Sequence, residues 1–368
     1  MEIVHLILGK ANPARMNGVN KVVYQLATHQ AQYGRAVQIW GITSTPEDNN
    51  FGERNFPTRL FKAARNPFSI DQSLRKALFE NRDRIIVHLH GGWIPRYAPL
   101  SRLLTRLKIP YVLTPHGAYN TQAMKRNFLI KRIYFYLAER FVLRNAARIH
   151  CLGASEVDGL VRIFNTQNIS LLPYGFTPGI TAQKVSNRNT SMIVGFVGRL
   201  DIYTKGLDLL LDALTGFNSA EVQVWIIGDG PERPNLEAMI RDRKLNHIVT
   251  CQGSKFGPEK DEWITKMDLF IHPSRNEGLP SAVLEAASLG VPCLVSEATN
   301  MGPYVEKFGA GLVVKNDDSD SLKSALDQCS SLHRQRLLRE FGENARNMVE
   351  KAFNWQTIVQ NFDSLYHQ

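Results

Sequence analysis

Two glutamates, Glu277 and Glu285, stand eight positions apart in the segment DLFIHPSRNEGLPSAVLEAASLGVPCLVS, residues 268–296. Paired carboxylates can act as acid and base in hydrolysis, or they can accept hydrogen bonds from the vicinal hydroxyls of a sugar. The surrounding residues decide between these uses. Leu269 to Ile271 reads as a buried parallel strand that His272-Pro273-Ser274 ends, and Glu277 follows in a polar loop with Gly278 and Leu279. Pro280 suits a first helical turn, and Val283, Leu284, Ala287 and Leu289 supply the apolar face of that helix, with Glu285 just over one turn in. The helix start between the acids offers unpaired N–H groups and a positive dipole end, which suit a phosphate. Carboxylates beside such a site repel the anion unless they grip something else, and sugar hydroxyls are that partner. In isolation, two glutamates at this spacing are solvated acids; here the strand, the proline and the glycine flank agree on a reader of sugar nucleotides.

Cations come from a second strand end. Ile193 to Val197 runs into Gly198-Arg199, and Lys205 opens a helix striped by Leu207, Leu210, Leu211 and Leu214. Departure of a nucleoside diphosphate gathers negative charge on oxygen, which a bidentate Arg and a point-charge Lys stabilise. The plainer alternative is two surface residues flanking a turn. In the first half, Met16-Asn17-Gly18-Val19 precedes the helical run Val22, Val23, Leu26, so Gly18 lets the backbone approach a phosphate, although Asn-Gly is also an ordinary turn signal. His116 follows the strand Tyr111 to Thr114 in TPHGAY, a position where a lone histidine is more often structural. His88 and His90, in VHLHGGW, share one strand face, but two histidines without a third ligand make a poor metal site, and HLHGG reads as a loop lining the cleft.

These groups need strand ends to hold them, and the chain supplies two series. Strands are expected near 3–8, 37–40, 84–89, 111–114, 148–151 and 170–172, then near 193–197, 222–227, 248–251, 269–272, 293–295 and 312–314, with helices between. The polar SNRNTS, residues 186–191, interrupts the alternation. At 368 residues the chain exceeds one ordinary core. The fold class is therefore α/β, with two doubly wound parallel-sheet domains, 1–185 and 186–353. Cys151, Cys251, Cys293 and Cys329 are scattered, as in buried small hydrophobes of a reducing compartment.

The segment NEGLPSAVLEAASLGVPCLVS closely resembles the E-x7-E signature of the retaining glycosyltransferases of family 4, which have the GT-B fold. FVGRLDIYTKGLDLLLDAL, IIGDGPER and GVNKVVYQLATHQAQYGRAV resemble the matching family segments, so the likeness runs over nearly the whole chain. It implies two Rossmann-like domains facing across a cleft, the last helix (354–368, with Trp355) crossing back to the first domain, and transfer of a hexosyl unit with retention from a nucleotide sugar to a hydroxyl of a glycan or lipid-linked glycan. It implies that Arg199 and Lys205 clamp the diphosphate, that Glu285 holds the ribose diol, and that Glu277 with the backbone of Gly278, Leu279 and Pro280 holds the donor sugar. His116 takes the position of the family's cleft histidine, which contacts the donor sugar or its phosphate. The family commonly has two glycines where this chain has Asn17-Gly18. No cofactor is expected beyond the substrate, a UDP- or GDP-linked sugar, and Gln252 to Phe256 adjoins its base. No metal is expected either: Asp317-Asp318-Ser319-Asp320 resembles a helix start, and Arg, Lys and helix termini supply the neutralising charge.

Charge bears on partners. Residues 1–180 carry 24 Lys and Arg against 10 Asp and Glu, whereas the remainder carries 20 against 24. From Arg96 to Arg148 there are eleven basic residues and one acid, Glu139. Within that stretch 123–149 reads as one helix with Leu129, Ile133, Tyr136, Leu137 and Phe141 on one side. Such a helix lies on an anionic membrane, or it is a domain helix with a solvated basic side. No nucleic-acid module accompanies the charge. The first residues make no signal peptide and no run reaches about 20 apolar residues, so the expected location is cytoplasmic, including the inner face of the membrane. The rival functions are another GT-B enzyme such as a sugar-nucleotide epimerase, a nicotinamide dehydrogenase, and a non-enzymatic membrane or nucleic-acid binder. The dehydrogenase fares poorly because Gly228-Asp229-Gly230 is followed by Arg233 where its fingerprint needs a third glycine.

Overall fold

In the computed structural model, residues 1–12, 18–48, 51–125, 127–179 and 191–367 are described. The chain divides into two units, Met1–Gly175 with Trp355–Gln368, and Phe176–Asn354. The boundary expected at 185/186, most of SNRNTS, and Asn17 lie outside the described residues.

The first unit is built on β1 Glu2–Leu8, β2 Val37–Thr43, β3 Thr58–Lys62, β4 Ile85–His90, β5 Tyr111–Thr114, β6 Arg148–Cys151 and β7 Ile169–Leu171. They form one parallel sheet in the order β3-β2-β1-β4-β5-β6-β7. Helices cover both faces, so the central strands are buried end to end, β4 and β5 completely. The edge strand β3 was not expected from sequence, because TRLFK is short, charged and half exposed. The helix Trp355–Tyr366 belongs to this unit: Trp355 stacks on His29 with centroids 4.4 Å apart, and Asp363 pairs with Arg35 at 2.6 Å.

The second unit holds β8 Met192–Val197, β9 Val222–Ile227, β10 Val249–Gly253, β11 Leu269–His272, β12 Cys293–Ser296 and β13 Gly311–Val314, parallel in the order β10-β9-β8-β11-β12-β13. In each sheet the order reverses beside the first strand, between β1 and β4 and between β8 and β11. The loops leaving the carboxyl ends of such neighbours diverge and leave a crevice, which is where ligands bind in this architecture.

The basic stretch departs from expectation. It is not one helix but Thr121–Lys125, Phe128–Tyr134, a π-helical turn Phe135–Glu139, and Arg140–Asn145, with Asn127 left-handed at the second start. The side carrying Leu129, Ile133, Tyr136 and Leu137 faces solvent, each more than 60% exposed, and Phe128 and Ile130 join it. The face with Phe135, Ala138 and Val142 is the one that packs inward. Glu139 is buried and accepts hydrogen bonds from Trp93 N at 2.8 Å and from the Tyr119 hydroxyl. Burial raises its pKa, against the lowering pull of those two donors.

Candidate active site

The second unit gathers its site at the ends of β8 and β11. After β8 the chain turns through Gly198 and Arg199 into the short helix Ile202–Lys205, capped by the Asp201 carboxylate on Thr204 N at 3.0 Å. Gly206 ends that helix in a left-handed conformation, φ 66°, and a Cβ there would lie 2.1 Å from the Pro273 carbonyl oxygen. Only glycine allows this approach, which presses the β8 loop against the β11 loop and delivers Lys205 to Glu277. Lys205 Nζ bonds directly to Glu277 Oε1, which also takes His272 Nε2 at 2.9 Å and Ser274 Oγ at 3.0 Å. Their side chains are only 18% and 14% exposed. Burial pushes the Glu277 pKa up, but the His272 hydrogen bond and the Lys205 charge pull it down to about 2. Burial lowers the His272 pKa, against the raising effect of Glu277.

The loop that follows is equally fixed. Asn300 donates Nδ2 to the carbonyls of Glu277 at 2.9 Å and Gly278 at 2.8 Å, and Glu277 N reaches Ala298 O at 3.2 Å. Leu279 and Pro280 lead into the helix Ser281–Ser288, with Pro280 as its extended cap residue and not, as expected, inside its first turn. Glu285 is half-buried and receives Lys260 Nζ at 2.7 Å from the helix Gly257–Thr265. Arg199 is different: its side chain is 71% exposed and meets Asp201 at 3.4 Å. Thus Lys205 and Glu277 meet directly, Glu285 holds a separate lysine, and Arg199 extends into solvent.

Sequence reasoning missed the supports. Arg275, two residues before Glu277, is buried and takes both oxygens of Asp208 at 2.7 and 2.8 Å and Asp317 at 2.6 Å, tying the loop to two other elements. Burial depresses its pKa, yet those carboxylates raise it on balance. A single Arg between Ser and Asn carries no period to mark it. His272, Ser274 and Asn300 read only as strand end and loop. Asp318 caps the helix Ser319–Arg334 through Ser321 N at 2.8 Å, as the acidic cluster predicts.

In the first unit, Gly18 opens the helix Gly18–Gln32, exposed, and apart from its chain neighbours and its own helix nothing among the described residues lies within 4 Å of where a Cβ would stand. His116 follows β5 in a left-handed conformation, φ 56°, and the Gly117 N–H beyond it is held by the buried Glu156 at 2.5 Å. Glu156 is raised to about 7 by burial, against its backbone donors. His88 and His90 are not loop residues but the buried end of β4. The expected lack of a third partner is also corrected, because β1 places His5 beside them, with ring nitrogens of all three within 4.8 Å of one another. His5 could not be linked to them from sequence because 80 residues of chain intervene.

Models of known families divide the chain within a few residues of the boundary between its units. The one described as Glycosyltransferase Family 4 matches residues 16–178, and the one described as Glycosyl transferases group 1 matches residues 180–348. The chain belongs to the family 4 glycosyltransferases. Among relatives of this glycosyltransferase, the UDP-Gal:alpha-D-GlcNAc-diphosphoundecaprenol alpha-1,3-galactosyltransferase of Escherichia coli is 26% identical over 330 residues, covering 83% of this chain and 80% of that protein. The O-antigen chain mannosyltransferase C of Escherichia coli is 24% identical over 378 residues, covering 96% and 95%. The Anabaena HepE protein, solved in complex with UDP and glucose, shares the fold with a TM-score of 0.73 at 17% identity, over 100% of this chain and 99% of that one.

Proposed function

We propose that this enzyme transfers a hexosyl unit, with retention, from a nucleotide diphosphate sugar to a hydroxyl of a glycan or lipid-linked glycan in the assembly of a cell-surface polysaccharide. The observation that carries the reading is the Lys205–Glu277 contact at the switch point between β8 and β11. Lys205 and the exposed Arg199 are suited to absorb the charge that develops on the leaving diphosphate. Glu277, ionised and rigidly held, is an acceptor for donor-sugar hydroxyls, with the backbone of Gly278, Leu279 and Pro280 beside it. Glu285, in the helix that follows, takes the ribose diol by sharing itself with Lys260. Gly18, at a helix start, and His116 are the first unit's contributions to donor binding. A sugar-nucleotide epimerase is not favoured by the relatives, whose names are those of transferases.

A UDP-linked donor is the first to try, since UDP stands in the name of one relative and in the HepE complex; a GDP-linked donor is the second. The reaction runs without a divalent cation in this reading, with Lys205 and Arg199 in its place. Full loss of activity in chelator, restored only by Mg or Mn, would reverse that. The test of the whole is a nucleotide-sugar panel read by thermal shift, followed by product analysis with and without acceptor, since a ligand of the native state raises its stability. No nucleotide sugar shifting the melting temperature would count against the proposal.

An anionic membrane surface is proposed as the place of work. Phe128, Leu129, Ile130, Ile133, Tyr136 and Leu137 form an apolar patch in water, with Arg132 and Arg140 exposed next to it. Apolar insertion together with about 1 kcal/mol per nearby basic residue gives reversible binding on the inner face of the cytoplasmic membrane. No described helix is long and apolar enough to cross the bilayer. Co-sedimentation with phosphatidylglycerol vesicles, lost in Leu129→Ser with Ile133→Ser, is the expected result; equal pelleting of the variant would refute it.

A further inference from the structure

Five histidines of the first unit, on β1, β4, β6 and the loop after β5, are joined in one run of hydrogen bonds. Its members are buried apart from His116, which is partly exposed. Beginning at the far end, His150 Nε2 meets the Leu172 carbonyl at 2.8 Å and His150 Nδ1 meets Thr114 Oγ1 at 2.8 Å. Thr114 Oγ1 meets His88 Nε2 at 2.6 Å, His88 Nδ1 meets the Tyr366 hydroxyl at 2.8 Å, and that hydroxyl meets Gln30 Nε2 at 3.3 Å. Gln30 Oε1 meets His5 Nε2 at 2.6 Å, His5 Nδ1 meets His90 Nε2 at 2.9 Å, and His90 Nδ1 meets His116 Nε2 at 3.0 Å.

Hydrogen positions are fixed by logic once one end is known. A carbonyl can only accept, so His150 carries its proton on Nε2 and, being neutral, accepts at Nδ1 from the Thr114 hydroxyl. That uses the single Thr114 proton, so His88 donates from Nε2 and accepts at Nδ1 from the Tyr366 hydroxyl. Tyr366 must then accept from Gln30, which demands the amide nitrogen there and turns the amide oxygen to His5. His5 therefore donates from Nε2, His90 donates from Nε2 to His5 Nδ1, and His116 donates from Nε2 to His90 Nδ1. Every bond runs the same way. Burial supports the neutral rings: it lowers His5 and His150 to about 4, His116 to about 3, and His88 and His90 well below their ordinary value. The nitrogens of His5, His88 and His90 are close enough for a metal, yet each is already engaged in this run.

We propose that this buried run is a tautomer lock, in which Gln30, Tyr366, His88, His5 and His90 act as positioning residues that hold His116 protonated on Nε2 and present its Nδ1 as a hydrogen-bond acceptor. Among the described residues Nδ1 of His116 has no partner, and the left-handed backbone at φ 56° fixes the ring's origin. A lone pair held outward repels a phosphate oxygen and takes a hydroxyl, so the group His116 meets is a hydroxyl of the substrate. That last step rests on the glycosyl-transfer reading, whereas the lock does not. The C-terminal helix enters the site through Tyr366, 250 residues after His116 in the chain.

The test is long-range proton–nitrogen correlation of the whole protein labelled with nitrogen-15 in its histidine rings, without substrate, at pH 7.5. His5, His88, His90, His116 and His150 should each show a protonated Nε2 and a bare Nδ1, unchanged by added zinc or chelator. A proton on His116 Nδ1, an imidazolium at any of the five, or a zinc-dependent shift at His5, His88 and His90 would overturn the lock. Tyr366→Phe removes the link that orients Gln30, and a second tautomer should then appear at His116; Thr114→Val breaks the run at another point and should do the same. Spectra of His116 unchanged in both variants would overturn the role of the run. With the donor found in the nucleotide-sugar panel, His116→Asn keeps an acceptor near the Nδ1 position on a residue that tolerates positive φ, and should turn over at least about ten-fold faster than His116→Ala. Equal rates would overturn the hydroxyl contact while leaving the spectra to judge the lock, and the absence of any donor would fall on the proposed function alone.

Discussion

Replacing Glu277 by Gln separates the charge of this side chain from its shape. The amide keeps an oxygen for His272 and Ser274 but loses the negative charge that Lys205 neutralises. The folded carboxyl titrates near 2 against an ordinary 4.5, so its ionised form is favoured by the native state in spite of its burial. Linkage gives the sign: a depressed pKa adds stability that is complete above the unfolded value and is lost as pH falls through the folded one. At 1.36 kcal/mol per pH unit, that shift corresponds to about 3 kcal/mol at neutral pH. Glu277→Gln is therefore expected to lie about 3 kcal/mol below the wild type in urea unfolding at pH 7, and about 1 kcal/mol below it at pH 3. Tryptophan fluorescence can follow the transition, since Trp225 and Trp263 pack together in the same unit with centroids 5.0 Å apart. A variant at least as stable as the wild type at pH 7, or a gap that does not change with pH, would refute the reasoning and make the carboxylate an unrelieved burial cost.

Other substitutions probe separate parts of the account. Glu285→Ala should mainly weaken nucleotide affinity by calorimetry, whereas Glu277→Ala should mainly slow turnover; undiminished affinity in the first would discredit the ribose role. Gly228→Ala would place a Cβ 1.8 Å from the Gly198 carbonyl oxygen at φ 149°, and a loss of about 3 kcal/mol or more in unfolding free energy is expected. Glu156, raised to about 7 by burial, has the opposite sign to Glu277: its ionisation costs the wild type stability as pH climbs from 4.5 through 7. Measured against Glu156→Gln, the wild type should lose about 3 kcal/mol across that window, and a flat difference would contradict the burial argument.

Much of the architecture was legible because two parallel sheets write themselves as repeated apolar runs. Tyr111–Thr114, Arg148–Cys151, Val222–Ile227 and Leu269–His272 emerge with the boundaries read from sequence. β3 did not, since an edge strand with Arg59 and Lys62 lacks the apolar run of a buried one. The basic stretch was legible only in part: its single-helix run is broken in the structure, and amphipathic spacing reveals two faces but not which one the protein covers, the bare side here being that of Leu129, Ile133, Tyr136 and Leu137. At the site, Glu277, Lys205 and Glu285 were readable because strand end, glycine and helix start lie close together in the chain. The partners of Glu277 and His116 were not. Asn300 and Arg275 act through tertiary contacts, and His5 reaches His90 across 85 residues while Tyr366 reaches His88 across 278, where no local pattern records the contact.

The central claim is that acids hold the ribose and sugar while bases hold the diphosphate. A crystal of the protein with the nucleotide sugar selected by thermal shift tests it most directly. The account predicts diphosphate oxygens on Arg199 and Lys205, the ribose diol on Glu285 and the hexose on Glu277. Donor density bound away from all four residues would contradict it.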